Sequence, residues 1–184
     1  MIIKRFLREM LYRIRGEYTT EKLVKLGLKV GKNFLRLHGV ILDPSHCWLI
    51  TIGDNVTMAP NVHILAHDAS TCYELGYAKI GRVNIGNNVF IGASTIVLPD
   101  VTIGDRVIIG AGAVVSKNLE SDGVYAGNPA KRIMSYNEYI QKQENIFKNS
   151  RVYGEEYTLR NKNMTMEQKE EMYYALENSK GFVK

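Results

Sequence analysis

The middle of the chain repeats a pattern of aliphatic and polar positions with a period of six residues. From Val83 the hexads read VNIGNN, VFIGAS, TIVLPD, VTIGDR, VIIGAG and AVVSKN. Their third position is always Ile or Val, and their first position is always small or β-branched. Upstream, TIGDNV, TMAPNV and HILAHD continue the pattern with Ile52, Met58 and Ile64 in the aliphatic position. The chain therefore carries a long internal repeat.

A period of six residues fits neither an α-helix nor a single alternating strand. Short β-branched segments separated by Gly, Asn and Asp favour short, flat strands that tight corners connect. Three such strands close a triangular coil whose aliphatic side chains point to the axis, and burying each one contributes roughly 1.5–3 kcal/mol. Strands of successive coils then pair in parallel. The repeat predicts an all-β parallel coil.

Positive charge is concentrated at the N-terminal end. Residues 1–32 carry nine Lys or Arg and three Glu, whereas residues 33–184 carry fifteen basic and sixteen acidic side chains. A broad basic surface that neutralises nucleic-acid phosphates is therefore not expected. Residues 3–14 place apolar side chains at helical spacing among basic ones, which predicts an amphipathic helix. This helix either packs on the rest of the protein or lies weakly on an anionic membrane surface.

The hexads stop after Ile133, and helical signals follow. Ser135 with Glu138, and Thr165 with Gln168, have the spacing of capping boxes and predict helices near 135–148 and 165–178. The polar stretch between them is expected to be a loop. The predicted divisions are an N-terminal helical segment (1–27), the coil (28–134) and a C-terminal helical extension (135–184).

Cysteine content indicates the cellular compartment. The two cysteines, Cys47 and Cys72, are too few for a disulfide framework, which fits a reducing environment. No apolar run approaches the length of a signal peptide or a membrane span. A cytoplasmic location is expected.

The repeat breaks between Asp68 and Val83. Ile64 is the last aliphatic position before the break, and Ile85 is the first after it. The interval between them is not a multiple of six residues. Residues 69–82 must therefore leave the coil as a loop, and a loop on a rigid scaffold is a frequent location for a functional site. His67 stands at this break, and imidazole is suited to proton transfer near neutral pH.

These features resemble the hexapeptide-repeat acyltransferases, which are left-handed parallel β-helices that transfer acyl groups from CoA. Within that family, the maltose and galactoside O-acetyltransferases and the capsule-type sugar acetyltransferases are the most similar. IGDNVTMAPNVHILAH and IGAGAVVSKNLESDGVYAGNPAKRI carry the resemblance, which covers residues 28–134. Handedness is implied by the family alone, because parallel crossovers are otherwise right-handed.

The resemblance implies acetyl-CoA as co-substrate, no metal, and a homotrimer with active sites between subunits. It implies His67 as the general base for a direct attack on the thioester, and a backbone N–H near Ala93 as a stabiliser of the oxyanion. Small residues let the backbone approach the pantetheine arm, and two cations can bind CoA phosphates. The residues expected to bind the cofactor are Ala93, Ala111, Ser116, Lys117, Lys131 and Arg132. Met134 stands where family members often carry a further Arg.

The acceptor is expected to be a sugar or a polysaccharide precursor. The residues that lie where the family handles its acceptor are Asp43, His46, Trp48, Asp54, Tyr73 and Tyr77. An aromatic face can stack on a sugar ring, although Trp48 is equally suited to the core. Asp68 and Glu74 are the candidates for the acid that orients His67.

Several alternatives remain open. The same fold supports N-acetylation of an aminosugar, and a non-catalytic β-helix scaffold is a further possibility. His63 lies four residues before His67. Three roles are open for it, namely a structural role, contact with the acceptor, and metal binding. A zinc lyase of the γ-carbonic-anhydrase type is disfavoured, since those enzymes space the corresponding histidine pair five residues apart. A mere scaffold has no need of His67 beside an ejected loop.

Overall fold

The structure is a computed structural model that describes residues 18–184. The chain divides into two compact units, one ending at Tyr136 and the other spanning Asn137–Lys184. The amphipathic helix predicted over residues 3–14, with its membrane contact, lies outside the described residues. The first described helix is α1 (Thr20–Lys25), which Thr19 caps and which buries Leu23.

The first unit is a parallel coil with three sheets. The first coil contains β1 (Lys29–Val30), β2 (Leu35–Arg36) and β3 (Ile41–Leu42). The second contains β4 (Ile50–Ile52), β5 (Thr57–Met58) and β6 (His63–Ile64). After an excursion containing β7 (His67–Asp68) and β8 (Lys79–Ile80), the third contains β9 (Val83–Ile85), β10 (Phe90–Ile91) and β11 (Ile96–Val97). The fourth contains β12 (Thr102–Ile103), β13 (Val107–Ile109) and β14 (Val114–Val115). Each coil adds one strand to each sheet.

The strand register shows where the repeat is regular and where it is interrupted. Ile96 of β11 pairs with Val114 of β14, three hexads later, which is one uninterrupted coil. His63 pairs with Ile96 across the predicted loop, an interval longer than three hexads, so the prediction that this segment leaves the coil is confirmed. The interval between Ile41 and its partner His63 also exceeds three hexads, which reveals a second, shorter insertion that the repeat did not predict. A 3₁₀ turn, Cys47–Leu49, lies in it.

The aliphatic positions of the hexads form the core. All nine of them are between 0 and 3% exposed, as the repeat predicts. The side chains are Ile52, Met58, Ile64, Ile85, Ile91, Val97, Ile103, Ile109 and Val115. Their stacking along one axis makes the coil a rigid support for the residues at its corners.

One corner of the coil is held by an asparagine ladder. Asn33, Asn55 and Asn88 follow the strands of the first sheet and have φ values of 54°, 56° and 55°. The side chain of Asn33 donates to that of Asn55 over 2.8 Å, and Asn55 donates to Asn88 over 3.0 Å. Asparagine tolerates the left-handed conformation better than most residues. The turn residues thus also connect successive coils.

The excursion is a small structured element. β7 and β8 pair antiparallel, and between them lie a 3₁₀ turn, Ala69–Thr71, and helix α2 (Cys72–Leu75). The coil ends with β15 (Gly123–Ala126), which β16 (Lys131–Ser135) covers in antiparallel pairing. Because β16 occupies the open edge of β15, this strand is not left unpaired.

The second unit contains the two predicted helices and a sheet that was not predicted. Helix α3 (Tyr136–Lys148) continues into it, and β17 (Arg151–Tyr153), a 3₁₀ turn at Glu155–Tyr157, α4 (Met166–Ala175) and β18 (Gly181–Val183) follow. The capping box of Thr165 and Gln168 is formed. The prediction of a loop between the helices is wrong, because β17 pairs in parallel with β18, which lies beyond α4. No helix among the described residues is long and apolar enough to cross a bilayer.

Candidate active site

His67 and Asp43 meet at the corner that follows the third sheet. Because β3 and β6 pair in register, Asp43 directly after β3 lies beside the residues that follow β6. The Asp43 carboxylate accepts the backbone N–H of Ala66 at 2.9 Å and that of Ser45 at 3.0 Å. His67 Nδ1 lies 2.5 Å from Asp43 Oδ2. One carboxylate thus holds the backbone and the imidazole together.

The Asp43 carboxylate is almost completely buried, with 1% of the side chain exposed. Burial by itself raises its pKa, but hydrogen bonds from His67, Ala66 and Ser45 outweigh this effect and place the pKa below its usual value. Since an ionised carboxylate can only accept hydrogen bonds, the hydrogen-bond network assigns a proton to His67 Nδ1. In the neutral imidazole the other nitrogen, Nε2, is then the proton acceptor, and the side chain is 36% exposed.

The acid that contacts His67 is not one of the two candidates from the sequence. Asp68 Oδ2 lies 2.6 Å from Lys79 Nζ, and its other oxygen accepts the Ser70 N–H at 2.8 Å. The hydrogen bonds from Lys79 and then Ser70 lower the Asp68 pKa to about 2. Glu74 is exposed on α2. Asp43, expected to contact the acceptor, is instead buried against His67, and the signal that could have found it is the parallel register of β3 and β6.

The shorter insertion places two more aromatic rings beside His67. The His46 ring centroid lies 5.1 Å from that of His67, at an interplanar angle of 43°. The Trp48 ring centroid lies 5.3 Å from that of His46, and Trp48 is 53% exposed. Trp48 therefore does not belong to the core. Cys47 between them is fully buried and anchors the turn.

Three of these side chains form a possible metal-ligand set. Asp43, His46 and His67 each place one potential ligand atom within 4.8 Å of the other two. Two imidazoles and a carboxylate suit a transition-metal ion such as zinc. Metal at the nitrogen that His67 shares with Asp43 must replace the proton between them, and metal at Nε2 removes the free proton acceptor. A metal here competes with base chemistry at His67.

The remaining residues expected at the acceptor have different surroundings. The Asp54 carboxylate accepts the backbone N–H of Lys32 at 2.6 Å and is part of the corner structure. Tyr73 and Tyr77 are 95% and 78% exposed on the excursion. His63 is half-buried within β6, between its strand partners.

The residues expected to bind CoA lie at two corners and on the final strand. Ala93 and Ala111 follow β10 and β13 at the corner between the second and third sheets, where Gly112 N–H donates to the Ala93 carbonyl over 2.8 Å. Ser116 and Lys117 are exposed and follow β14, at the same corner as His67.

The two cations expected at the CoA phosphates lie on β16. Lys131 is exposed, and Arg132 donates from Nη2 to the Asp122 carbonyl over 3.0 Å. Arg132 Nη1 also lies 3.7 Å from Glu120 Oε2, and both side chains are largely exposed. An exposed ion pair of this length contributes little stability. The Arg132 guanidinium is thus held at the surface by one hydrogen bond to a carbonyl and one long ion pair.

Comparison with known proteins identifies the family. Residues 82–117 match the profile described as bacterial transferase hexapeptide (six repeats). The protein CapG of Staphylococcus aureus is 40% identical over 145 residues, which cover 76% of this chain and 81% of CapG. This chain belongs to the hexapeptide-repeat acetyltransferase family. The predicted resemblance and the prediction of an acyltransferase are confirmed.

Two solved structures extend this assignment. A maltose O-acetyltransferase from Clostridium difficile 630 is 41% identical, with a TM-score of 0.54 and 59% of each chain covered. A galactoside acetyltransferase in complex with coenzyme A is 31% identical, with a TM-score of 0.52, covering 62% of this chain and 58% of that one. The chain thus spans less than two thirds of both solved chains.

Proposed function

We propose that the protein transfers an acetyl group from acetyl-CoA to a hydroxyl of a sugar or polysaccharide precursor, with His67 as the general base. The observation that carries this proposal is the 2.5 Å contact between His67 Nδ1 and the buried Asp43 carboxylate. It fixes the tautomer in which Nε2 accepts a proton. The solved relatives named for maltose and galactoside acetylation support a sugar acceptor.

In the proposed reaction, His67 Nε2 takes the proton from the acceptor hydroxyl as its oxygen attacks the thioester carbonyl carbon. Asp43 stabilises the imidazolium that forms, without taking its proton. A backbone N–H near Ala93 stabilises the oxyanion of the tetrahedral intermediate. When the carbon–sulfur bond breaks, the thiolate of CoA leaves and receives the proton from His67. The base is thereby regenerated.

The cofactor groove and its symmetry are part of the same proposal. Ala93, Ala111, Ser116 and Lys117 line the CoA path along a left-handed coil, as in the family. Within one chain the third sheet separates Ala93 and Ala111 from the corner of His67. A homotrimer solves this geometry, since the corner of one chain can face the groove of the next.

The acceptor is proposed to bind on the outer side of His67. Trp48 offers an exposed aromatic face beside His46, the ring that lies next to His67, and such a face stacks well on the apolar side of a pyranose. Tyr73, 95% exposed within its own chain, is proposed to contact the acceptor or the neighbouring subunit. Asp54 is left out because its carboxylate holds Lys32.

Replacing His67 by Ala tests the proposed function. We expect kcat to fall by on the order of 10²–10⁴-fold, the usual contribution of a positioned general base. The matched control is His63→Ala, four residues earlier on β6, which should retain most of the turnover. Acetyl-CoA affinity, measured by calorimetry, should be nearly unchanged in both variants.

Two outcomes contradict the proposal. If His67→Ala acetylates a glycoside at a near-wild-type rate, His67 is not the general base. Turnover that a chelator abolishes and zinc restores favours metal chemistry at Asp43, His46 and His67. We expect instead that a chelator leaves turnover unchanged and that added zinc inhibits.

A further inference from the structure

His46 is the polar group beside His67 that the proposed mechanism does not use. The shorter insertion holds its ring next to both Trp48 and His67, at centroid distances of 5.3 and 5.1 Å. The sequence feature responsible is the segment PSHCWL, which interrupts the hexads and which buried Cys47 anchors to the core. Among the described residues, the ring is therefore held by its contacts with these two neighbouring rings.

The surroundings of the two ring nitrogens assign the tautomer of His46. Nδ1 is buried and has no hydrogen-bond partner among the described residues. A buried N–H without an acceptor is rarer in proteins than a buried lone pair without a donor. Neutral imidazole carries one N–H and one lone pair, so the proton belongs on Nε2. His46 then offers a donor, whereas His67 offers an acceptor at Nε2.

We propose that His46 is a positioning residue that selects acceptors with two neighbouring hydroxyls. One hydroxyl gives its proton to His67 Nε2, and the oxygen of the other accepts the N–H of His46 Nε2. The two rings lie side by side, with centroids 5.1 Å apart and one nitrogen of each within 4.8 Å of a nitrogen of the other, so two adjacent hydroxyls are close enough together to contact both rings. This inference rests on the proposed function of His67.

The donor on His46 also makes the site selective against a neighbouring ammonium group. An ammonium group has donors and no acceptor, so it cannot satisfy a second donor. Placing the two together leaves an unpaired polar group at the site, which is costly. An acceptor that carries a free amine beside the reacting hydroxyl is therefore acetylated poorly, whereas the corresponding diol is a good acceptor.

The first test is a cycle of the double-mutant type, which combines one substitution in the protein with the removal of one hydroxyl from the acceptor. The probes are methyl β-D-galactopyranoside, methyl α-D-glucopyranoside and their monodeoxy derivatives. His46→Phe keeps the aromatic ring and removes the donor, so kcat/KM for the acceptor should fall about tenfold, the effect of one hydrogen bond. For the wild type, kcat/KM should fall by about the same factor when one of the deoxy derivatives replaces its parent glycoside. For His46→Phe, that deoxy derivative should lower kcat/KM no further.

The control variant is His46→Gln, which retains an N–H donor and should recover part of the loss. The KM for acetyl-CoA and the pH dependence of kcat, which report on other groups, should not change in either variant. Wild-type kcat/KM in His46→Phe, or losses that simply add in the cycle, would overturn the inference.

The second test does not need turnover. NMR of the wild-type protein with ¹⁵N-labelled histidine should show His46 protonated on Nε2 and unprotonated on Nδ1, with signals assigned through His46→Phe. A proton on Nδ1, in an enzyme that acetylates glycosides, contradicts this inference and leaves the proposed function standing. A wild type that acetylates none of the glycosides contradicts the proposed function itself.

Discussion

At the scale of single residues, one buried carboxylate decides what His67 can do. Asp43 accepts two backbone N–H groups and the imidazole Nδ1–H, and so fixes both the orientation and the tautomer of the ring. The adjacent acid, Asp68, is bound to Lys79 and has no such effect. Two aspartates near one histidine thus have different functions because of their hydrogen-bond partners.

Asp43→Asn should lower kcat by on the order of 10²–10⁴-fold. If the Asn amide donates to His67 Nδ1, the ring proton moves to Nε2 and the base is lost. The matched control is Asp68→Asn, which should keep most of the activity. Steady-state kinetics with a glycoside acceptor measures both, and equal activity in the two variants contradicts the role of Asp43.

Stability measurements on the same variant report the ionisation of Asp43. Because its folded pKa lies below the ordinary value of 3.8, the ionised carboxylate stabilises the fold above about pH 4. This stabilisation disappears as the pH falls through the folded pKa. The difference in free energy of unfolding between wild type and Asp43→Asn should therefore shrink in acid. A difference that does not vary with pH would show that Asp43 is not ionised.

At the scale of elements, the asparagine ladder joins successive coils through hydrogen bonds between polar side chains, whereas the core joins them through apolar packing. Asn55 combines a left-handed backbone with two side-chain hydrogen bonds to the coils on either side. The two contributions can be separated, because glycine also adopts the left-handed backbone conformation but has no side chain to form the hydrogen bonds.

Asn55→Ala should lower the free energy of unfolding by about 2 kcal/mol, and Asn55→Gly by about 1 kcal/mol. Alanine loses the ladder and also strains the backbone at φ 56°, whereas glycine loses only the ladder. Chemical denaturation followed by circular dichroism measures both. Equal losses would mean that the backbone conformation contributes nothing at this corner.

At the scale of the whole molecule, the cations on β16 should serve the cofactor and not the acceptor. Replacing Lys131 and Arg132 by Ala should raise the acetyl-CoA KM while the acceptor KM stays roughly constant, since two cationic phosphate partners are removed. Replacing Lys142 and Lys148 on α3 by Ala, which also removes two exposed positive charges, is the matched control. Unchanged CoA affinity by calorimetry would place the phosphates elsewhere.

The excursion leaves apolar surface that a second copy of the chain is expected to cover. Tyr73, Leu75, Tyr77 and Ile80 are between 60 and 95% exposed. Large exposed apolar side chains in a cluster mark interaction sites. We therefore expect a homotrimer in light scattering.

Mixed trimers test whether the active site is shared. His67→Ala and Ala111→Trp, which should block the CoA groove, are each expected to be inactive alone. After joint unfolding and refolding in equal amounts, about a quarter of all sites should pair one intact His67 with one intact groove. Activity should then return. Mixed trimers that form but stay inactive, or a monomeric protein, contradict the shared site.

Features that depend on local spacing could be predicted from the sequence alone. The six-residue period predicted the parallel coil and its buried axis, because each hexad buries the same position whichever coil it belongs to. A spacing that is not a multiple of six located the excursion and His67. Capping residues located α3 and α4 with little error, since a helix end depends on neighbours three residues away.

Contacts between residues of different coils could be identified only in the folded structure. Asp43 reaches His67, and β17 reaches β18, through pairings of residues far apart along the chain. Those pairings depend on the lengths of two insertions, and the hexads next to the shorter one do not reveal its length. The orientation of His67, the position of His46 and Trp48 at the same corner, and the C-terminal sheet all follow from pairings of this kind. A repeat specifies which positions point into the axis of the coil. The contacts at its corners depend instead on how many residues are inserted between the hexads of each coil.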